Sequence, residues 1–244
     1  MDADRNAVGL EVIEVLASVS AATLSMQLLK RGIRNASMVG PRPLDPSGRR
    51  VAGPAYTLRF LPGREDLATL DSYARPGSVC QAIEEVPSGA FVVIDARGEQ
   101  GAATLGDILA ARLRALGAVA AVSDGPMRDV AEIRALDFPV FCTGAVAPPS
   151  IARLVFADWQ IPVGCGKVAV IPGDILVGDE DGVVVVPRAL AEEVARDAVE
   201  QERFERFAQM KVKKGASVQG LYPPGEETLA AYRSWLEAGE PEAP

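Results

Sequence analysis

Two short motifs carry the groups in this chain that could bind an anion and a metal ion. The first, Gly101-x4-Gly106-Asp107, precedes an apolar helical pattern. Backbone N–H groups at a helix start, together with the positive end of the helix dipole, favour a carboxylate or a phosphate. The second, Asp124-Gly-Pro-Met-Arg128-Asp129, follows an apolar strand pattern. Here Arg128 could clamp a carboxylate through two hydrogen bonds, and Asp129 could ligate a hard cation.

Each motif also has a purely structural interpretation. Thr104, followed three residues later by Asp107, would form an acidic variant of a helix capping box. Arg128 and Asp129 would form a surface ion pair contributing less than about 1 kcal/mol. However, only twenty residues separate Asp107 from Arg128, so the two motifs end adjacent elements and can face one site. Glu132 shares a helical face with Asp129 and could join the outer shell of a metal ion.

The absence of histidine narrows the chemistry of any site. None of the 244 residues is histidine, which excludes Ser-His-Asp and Cys-His nucleophiles and histidine-ligated zinc or iron. A metal would therefore be held by oxygen ligands, which points to Mg²⁺ or Mn²⁺. A general acid or base would be a carboxylate, lysine, tyrosine, cysteine or water.

Composition limits the partners. The net charge of −8 argues against a nucleic-acid surface, since phosphate binding requires a basic face. No apolar run approaches the roughly 18 residues of a membrane span, and the acidic start MDADRNAVGL does not resemble a signal peptide. We therefore expect no membrane partner and a cytoplasmic location. The three widely spaced cysteines predict neither a disulfide framework nor a zinc site.

The elements around the two motifs predict an α/β fold. Apolar strand patterns cover residues 91–95, 119–122 and 138–142, and helical patterns cover 105–116 and 130–136. This β-loop-α-β-loop-α-β order is typical of layered α/β proteins. Asp95 ends the first buried strand, a position that commonly opens on a site.

The flanking segments predict helical extensions to a single domain. Residues 9–31 are predicted to form one or two helices, with a break at Ser18 or Ser20 and a stop at Gly32. Residues 168–171, 175–177 and 183–186 are predicted to form consecutive hairpins. Helices are expected at 189–210 and 228–236, and disorder after residue 239. The predicted divisions are N-terminal helices and an arm (1–50), a core domain (51–188) and a C-terminal helical extension (189–244).

The combined motifs resemble the RraA-like family, which includes class II 4-hydroxy-4-methyl-2-oxoglutarate and 4-carboxy-4-hydroxy-2-oxoadipate aldolases. The resemblance rests on Asp107-x20-Arg128-Asp129-x2-Glu132 with the preceding glycines. It continues in the segments 138–141, 166–174 and 178–187, and so covers roughly residues 55–187. The two ends of the chain resemble longer members described as regulators of ribonuclease activity.

The resemblance implies a swivelling β/β/α fold, assembled as homotrimers or hexamers with sites between subunits. It implies Mg²⁺ or Mn²⁺ at Asp129, largely through waters, and substrate contact by Arg128. The substrate carboxylate would be held by the helix-start amides of Gly106, Asp107, Ile108 and Leu109. A further acidic metal-shell residue can come from elsewhere in such proteins, and Glu200 and Glu202 are candidates here.

We therefore predict a metal-dependent carbon–carbon lyase acting on a 2-oxo acid. Retro-aldol cleavage would release pyruvate. The same stabilisation of the pyruvate enolate would permit oxaloacetate decarboxylation. Arg128 and Asp107 are the predicted catalytic residues, and Asp129 and Glu132 the predicted metal residues. The alternatives are a non-catalytic regulatory protein, a metal-dependent decarboxylase, isomerase or hydratase on a related sugar acid, and a Schiff-base lyase using Lys167, which lies in an apolar strand pattern. Selectivity beyond the 2-oxo acid head is expected from loops such as 42–50 and 142–150.

Overall fold

The computed structural model describes residues 8–46 and 48–240, so both the start of the acidic N-terminal segment and the predicted disordered tail beyond residue 240 lie outside the described residues. The chain divides into two compact units between Ala195 and Arg196. The division predicted from the sequence, at 50/51 and 188/189, stays a prediction. The helices of the first unit are α1 (Leu10–Ser18), α2 (Ala21–Lys30), α3 (Val79–Glu84), α4 (Asp107–Ala115) and α5 (Val130–Ala135). Helix α6 (Ala191–Lys213) continues into the second unit, which also contains α7 (Glu226–Glu237).

A mixed eight-stranded sheet is the centre of the first unit. The strands of the chain are β1 (Arg42–Pro43), β2 (Val51–Pro62), β3 (Phe91–Asp95), β4 (Ala120–Ser123), β5 (Val140–Cys142), β6 (Leu154–Trp159), β7 (Val163–Cys165), β8 (Val168–Val170), β9 (Ile175–Asp179) and β10 (Gly182–Val186). The order in the large sheet is β1-β5-β4-β3-β2-β9-β10, and β6 pairs with the far half of β2. Strands β2, β3, β4 and β5 are parallel neighbours, and β7 and β8 form a separate hairpin.

Strand β3 is buried on both faces, which explains its unbroken apolar sequence. Val92 and Ile94 face a core shared with the helices α3 and α4. Phe91 and Val93 face a second core shared with β8 and β10. A parallel strand covered on both sides carries apolar residues at every position rather than at alternate ones.

The parallel pairing of β3 and β4 brings the two motifs together. Ile94 of β3 lies opposite Ser123 of β4, so the two strands end at the same edge of the sheet. The loop after β3 leads to the N-terminus of α4, and the loop after β4 leads to Arg128 and Asp129. Ligand sites of open α/β sheets commonly lie outside the carboxyl ends of such strands.

The predicted α/β arrangement is confirmed, with two corrections in the later strands. Strand β6 was not predicted. The predicted hairpin between residues 168–171 and 175–177 is wrong, because β8 pairs with β7 and β9 pairs with residues 51–54 of β2. Asp174 holds the intervening turn to its surroundings, since its carboxylate accepts hydrogen bonds from the N–H groups of Ile171 and Arg188.

The N-terminal helices have the predicted break. Ser20 caps α2 by accepting a hydrogen bond from the N–H of Thr23 at 3.1 Å, and Gly32, with φ of 82°, follows its end. Within the part of the chain that the structure describes, no single helix combines the length and the apolar character needed to cross a membrane. Only α1 and α2 taken together pass by length and composition, and they are bent by 109°.

The second unit is held by an aromatic cluster. Phe207 is 1% exposed and packs with Tyr232, Leu221 and Ala208. Tyr232 donates a hydrogen bond from its hydroxyl to Glu200 at 2.8 Å. This small unit therefore has a core of its own.

Candidate active site

The two predicted loops lie against each other. The N–H of Arg128 donates a hydrogen bond to the carbonyl of Leu105 at 3.1 Å. A Cβ placed on Gly106 would lie 2.8 Å from Asp129 Oδ2 and 3.3 Å from Arg128 Cγ. The backbone of Gly106 is extended (φ −120°), so glycine is needed here for the close approach and not for a left-handed conformation.

The N-terminus of α4 has no side-chain cap. Gly106 is the N-cap residue, and no side chain caps the first turn. The capping box predicted for Thr104 and Asp107 is wrong, because the Thr104 hydroxyl instead shares a hydrogen bond with the hydroxyl of buried Ser123 at 3.1 Å. The first-turn N–H groups of α4 have no partners within the helix, and with the helix dipole they favour an anion.

Arg128 and Asp129 form a half-exposed ion pair beside this helix start. Arg128 Nε donates to Asp129 Oδ2 at 3.0 Å, and their side chains are 39% and 34% exposed. Such an exposed pair contributes at most about 1 kcal/mol to stability. Asp129 is also in the left-handed region (φ 54°, ψ 41°), which costs a non-glycine residue on the order of 1 kcal/mol. The pair therefore contributes little to the stability of the fold.

A cavity of ≈ 350 Å³ opens in front of these groups. Six predicted substrate- and metal-binding residues line it: Gly106, Asp107, Ile108, Leu109, Arg128 and Asp129. Glu132 is not among the lining residues and is exposed on α5. The roles predicted for all seven residues stay predictions, but the first six share one cavity.

Two carboxylates line the cavity, too few to hold a metal ion without waters or substrate oxygens. Among the described residues, no three of the His, Cys, Asp and Glu side chains cluster as a metal-binding group. Asp107 and Asp129 both line the cavity, and Mg²⁺ in substrate sites is commonly held by one or two carboxylates plus waters and substrate oxygens. Glu200 and Glu202 lie on the part of α6 in the second unit, and their predicted contribution stays a prediction.

Two other carboxylates at the strand ends organise loops instead of lining the cavity. Asp124 accepts hydrogen bonds from the N–H groups of Ala96 (2.7 Å) and Gly98 (3.1 Å). Burial raises the pKa of Asp124, with a smaller effect from neighbouring Asp95. Asp95 accepts from the N–H of Arg97 at 2.9 Å. Asp95 itself is not among the residues that line the cavity, and its other carboxylate oxygen accepts from the N–H of Gly164 at 3.3 Å.

The structure does not support a nucleophilic lysine or cysteine in the cavity. Lys167 is exposed in the turn between β7 and β8 with φ of 66°, so its predicted place in an apolar strand is wrong and it lacks the burial that activates a Schiff-base lysine. No lysine lines the cavity in the described parts of the chain. Cys80 does line it, but burial, then the charge of Glu84, raises the pKa of its thiol, which disfavours the thiolate.

Several cavity residues come from segments that the sequence did not single out as a site. Leu70 and Tyr73 follow β2, and Tyr73 shares a hydrogen bond between its hydroxyl and that of Ser150 at 3.0 Å. Of the two predicted selectivity loops, 142–150 contributes Pro149 and Ser150, whereas none of the described residues in 42–50 lines the cavity.

Comparison with known proteins identifies the family of the chain. The family model described as "RraA-like: Aldolase/RraA" matches residues 17–185. The chain belongs to the RraA-like family. The resemblance predicted from the motifs and the α/β fold with terminal helices are thereby confirmed.

Three relatives illustrate the range within the RraA-like family. The chain is 35% identical over 153 residues to "Putative 4-hydroxy-4-methyl-2-oxoglutarate aldolase" of Halalkalibacterium halodurans, covering 63% of this chain and 67% of that protein. It is 29% identical over 208 residues to Protein DlpA of Legionella pneumophila, covering 85% of this chain but 32% of that longer protein. The crystal structure of Streptomyces coelicolor RraAS2, described as an unusual member of the RNase ES inhibitor RraA protein family, has a TM-score of 0.76 and 36% identity, covering 84% of this chain and 98% of that one.

These relatives support an aldolase or RraA-type function in general terms. The aldolase name belongs to a relative that is 35% identical, and the ribonuclease-inhibitor family name to a structure that is 36% identical. The two similarities are nearly equal, so the choice between the two functions depends on the cavity.

Proposed function

We propose that this protein is a divalent-metal-dependent carbon–carbon lyase that cleaves 4-hydroxy-2-oxo acids and releases pyruvate. The observation that supports this most strongly is the joint placement of an uncapped helix start, a half-exposed arginine and a carboxylate in one cavity. A ribonuclease-binding surface has no need for such an arrangement. A small 2-oxo acid has a carboxylate for the helix start and carbonyl oxygens for the arginine and the metal ion.

The residues of the chain bind the substrate head and hold its developing charge. The N–H groups at the start of α4 receive the 1-carboxylate, and Arg128 donates to the 2-oxo oxygen. A water positioned by Asp107 takes the proton of the C4 hydroxyl, and the C4–O bond becomes a carbonyl. The C3–C4 electron pair passes into the pyruvate enolate, whose charge Arg128 stabilises. A proton from solvent then completes pyruvate at C3.

Asp129 would hold Mg²⁺ or Mn²⁺ together with waters and substrate oxygens. When bound, the cation supplies positive charge at the 2-oxo oxygen, an effect worth several kcal/mol in such reactions. Since Arg128 Nε occupies Asp129 Oδ2, the other carboxylate oxygen of Asp129 is available for the cation. The same charge stabilisation would allow loss of CO₂ from oxaloacetate, because that reaction also forms pyruvate enolate.

We further propose that a second subunit covers the cavity mouth, as part of a homotrimer or hexamer. Leu70 and Ile108 line the cavity and are each 78% exposed. Contiguous exposed apolar surface can mark an interaction site, and a partner subunit would remove these two side chains from water. Native mass spectrometry would measure the assembly, and a monomer at micromolar concentration would contradict this part of the proposal.

The proposal is tested by incubating the purified protein with a panel of 2-oxo acids and measuring pyruvate with lactate dehydrogenase and NADH. We expect pyruvate from 4-hydroxy-4-methyl-2-oxoglutarate and from oxaloacetate in the presence of Mg²⁺. Treatment with EDTA should abolish release, and added Mg²⁺ or Mn²⁺ should restore it. Full activity of EDTA-treated protein would contradict the metal-dependent mechanism.

A second candidate function is regulation of a ribonuclease, which the similarity to RraAS2 favours. Its test is inhibition of a purified RNase ES-type ribonuclease by the wild-type chain and by the double variant Arg128→Ala/Asp129→Ala. Equal inhibition by both proteins, together with no turnover of any 2-oxo acid, would favour regulation over catalysis.

A further inference from the structure

A second cavity of ≈ 210 Å³ adjoins the candidate active site. The two cavities share three lining residues, Tyr73, Ser150 and Ile151. The hydroxyls of Tyr73 and Ser150 are hydrogen-bonded to each other at 3.0 Å. These residues therefore form the boundary between a head cavity, which contains Arg128 and Asp129, and a tail cavity on their other side.

The inner wall of the tail cavity is apolar. Phe60 and Val79 are 1% and 5% exposed, and Phe60 packs edge-on against Phe156 with ring centroids 5.3 Å apart. Val155 of β6 and, at the rim, Leu67 add apolar surface, and the hydroxyls of Ser72 and Ser78 also line the cavity. A cavity of about 150 Å³ with such walls holds a benzene molecule, so the tail cavity has room for a phenyl or branched alkyl group.

Charge is confined to the rim of the tail cavity. Arg75 is the single charged side chain among the described residues that line it. Arg75 is exposed, and its guanidinium donates to the Thr69 hydroxyl at 3.4 Å. Since Arg75 is exposed, the inner wall offers hydroxyl groups but no cation to a carboxylate, and burying a carboxylate without an opposite charge would be costly.

We propose that the tail cavity binds an apolar C4 substituent, alkyl or aryl, of a 4-hydroxy-2-oxo acid whose head occupies the first cavity. This inference rests on the proposed function and narrows its substrate class. The hydroxyls of Tyr73 and Ser150 lie at the boundary, where they can hydrogen-bond the C4 oxygen between the head and the tail. An alkyl or phenyl tail covers the apolar inner wall, whereas a short acidic tail leaves that wall in contact with water.

Non-cleavable ligands test this assignment separately from turnover. Calorimetric titration with Mg²⁺ present would use oxalate, which fits only the head cavity, together with 2-oxo-4-phenylbutanoate and 2-oxoglutarate, which carry apolar and acidic tails. In the wild type we expect 2-oxo-4-phenylbutanoate to bind at least about 10-fold more tightly than 2-oxoglutarate. Tighter binding of 2-oxoglutarate would overturn the apolar assignment and point to Arg75, and Arg75→Gln would then remove that preference.

The variant Val155→Trp should fill the tail cavity from a strand position that is only partly buried. It should weaken binding of 2-oxo-4-phenylbutanoate by at least about 10-fold and leave oxalate binding within about twofold. The control Val39→Trp places the same residue at an exposed site lining neither cavity and should change neither affinity. If Val155→Trp misfolds by circular dichroism, Leu67→Trp at the rim replaces it with the same expectation.

The outcomes separate the two proposals. Normal oxalate binding with no response of 2-oxo-4-phenylbutanoate to the filled cavity would overturn the tail assignment alone. An absence of Mg²⁺-dependent oxalate binding in the wild type would overturn the proposed function and, with it, the role of the tail cavity.

Discussion

Replacing Gly106 with alanine should impair catalysis while leaving the fold almost intact. The added Cβ would lie 2.8 Å from Asp129 Oδ2, whereas ordinary contacts begin at 3.4 Å, so the carboxylate must move by about 0.6 Å. That oxygen is the end of a side chain that is 34% exposed, and it can move without disturbing the core. A displacement of about 1 Å at a reacting group costs up to about 100-fold, so we expect kcat/KM to fall about 10- to 100-fold.

The assay combines pyruvate release with urea unfolding. The free energy of unfolding of Gly106→Ala should fall by about 1 kcal/mol or less. Alanine is less favourable than glycine at an N-cap position, but the backbone here is extended, and the lower entropy of the unfolded chain offsets part of the cost. Gly164→Ala is the matched control, since its Cβ would meet nothing within 4 Å, and both quantities should stay unchanged. In Gly125→Ala the Cβ would lie 2.7 Å from Ala96 Cβ, so stability should fall. Unchanged activity in Gly106→Ala would refute the assigned site geometry.

Three further predictions concern the metal, a buried carboxylate and the second unit. Asp129→Asn keeps a residue that tolerates the left-handed backbone, so stability should hold while Mn²⁺ affinity, measured by electron paramagnetic resonance, falls at least about 10-fold; equal affinity would exclude Asp129 as a ligand. In Asp124→Asn one of the two oxygens that accept backbone hydrogen bonds is replaced by an NH₂ group, so the free energy of unfolding in urea should fall by about 1–3 kcal/mol. The exposed control Asp45→Asn should leave it almost unchanged. The pKa of Asp124 is raised above its ordinary value of 3.8, so the folded state binds this proton more tightly than the unfolded state does. The free energy of unfolding of wild type should therefore fall towards that of Asp124→Asn as the pH rises above about 4. A difference that grows with pH would contradict the raised pKa. Phe207→Ala should destabilise the second unit by about 3–5 kcal/mol, seen in tryptophan fluorescence, while pyruvate release at low temperature persists; an unchanged unfolding curve would contradict the aromatic core.

The sequence carried enough information to predict that the two motifs lie together, because they follow neighbouring parallel strands. Continuous apolar patterns predicted β3 and β4, and the polar residues after each strand could then be assigned to one edge of a sheet. The absence of histidine left oxygen atoms as the expected ligands of a metal ion. Local patterns misled at Thr104, where a capping signal competes with a hydrogen bond to Ser123 that only the tertiary fold brings within reach.

The remaining walls of the site depend on contacts between segments that are distant in the chain. Tyr73 and Ser150 are 77 residues apart, and neither has a periodicity that marks it as a cavity residue. Apolar and polar residues alternate only weakly in strand β6, which pairs with the second half of β2. A strand in such an edge position has no strong sequence pattern, so it was not predicted. Lys167 looked like a strand residue because apolar residues flank it, although a tight turn with positive φ exposes it.

The most direct test of the account is the rate of pyruvate release from 4-hydroxy-4-methyl-2-oxoglutarate by the wild type and by Arg128→Ala at saturating Mg²⁺. Arg128 is proposed to contact the oxygen that becomes charged in the transition state, and loss of one such donor costs about 100- to 1,000-fold in kcat. The account predicts a loss of that size in a variant that unfolds at the same urea concentration as wild type. Release by the variant at the wild-type rate would contradict the account.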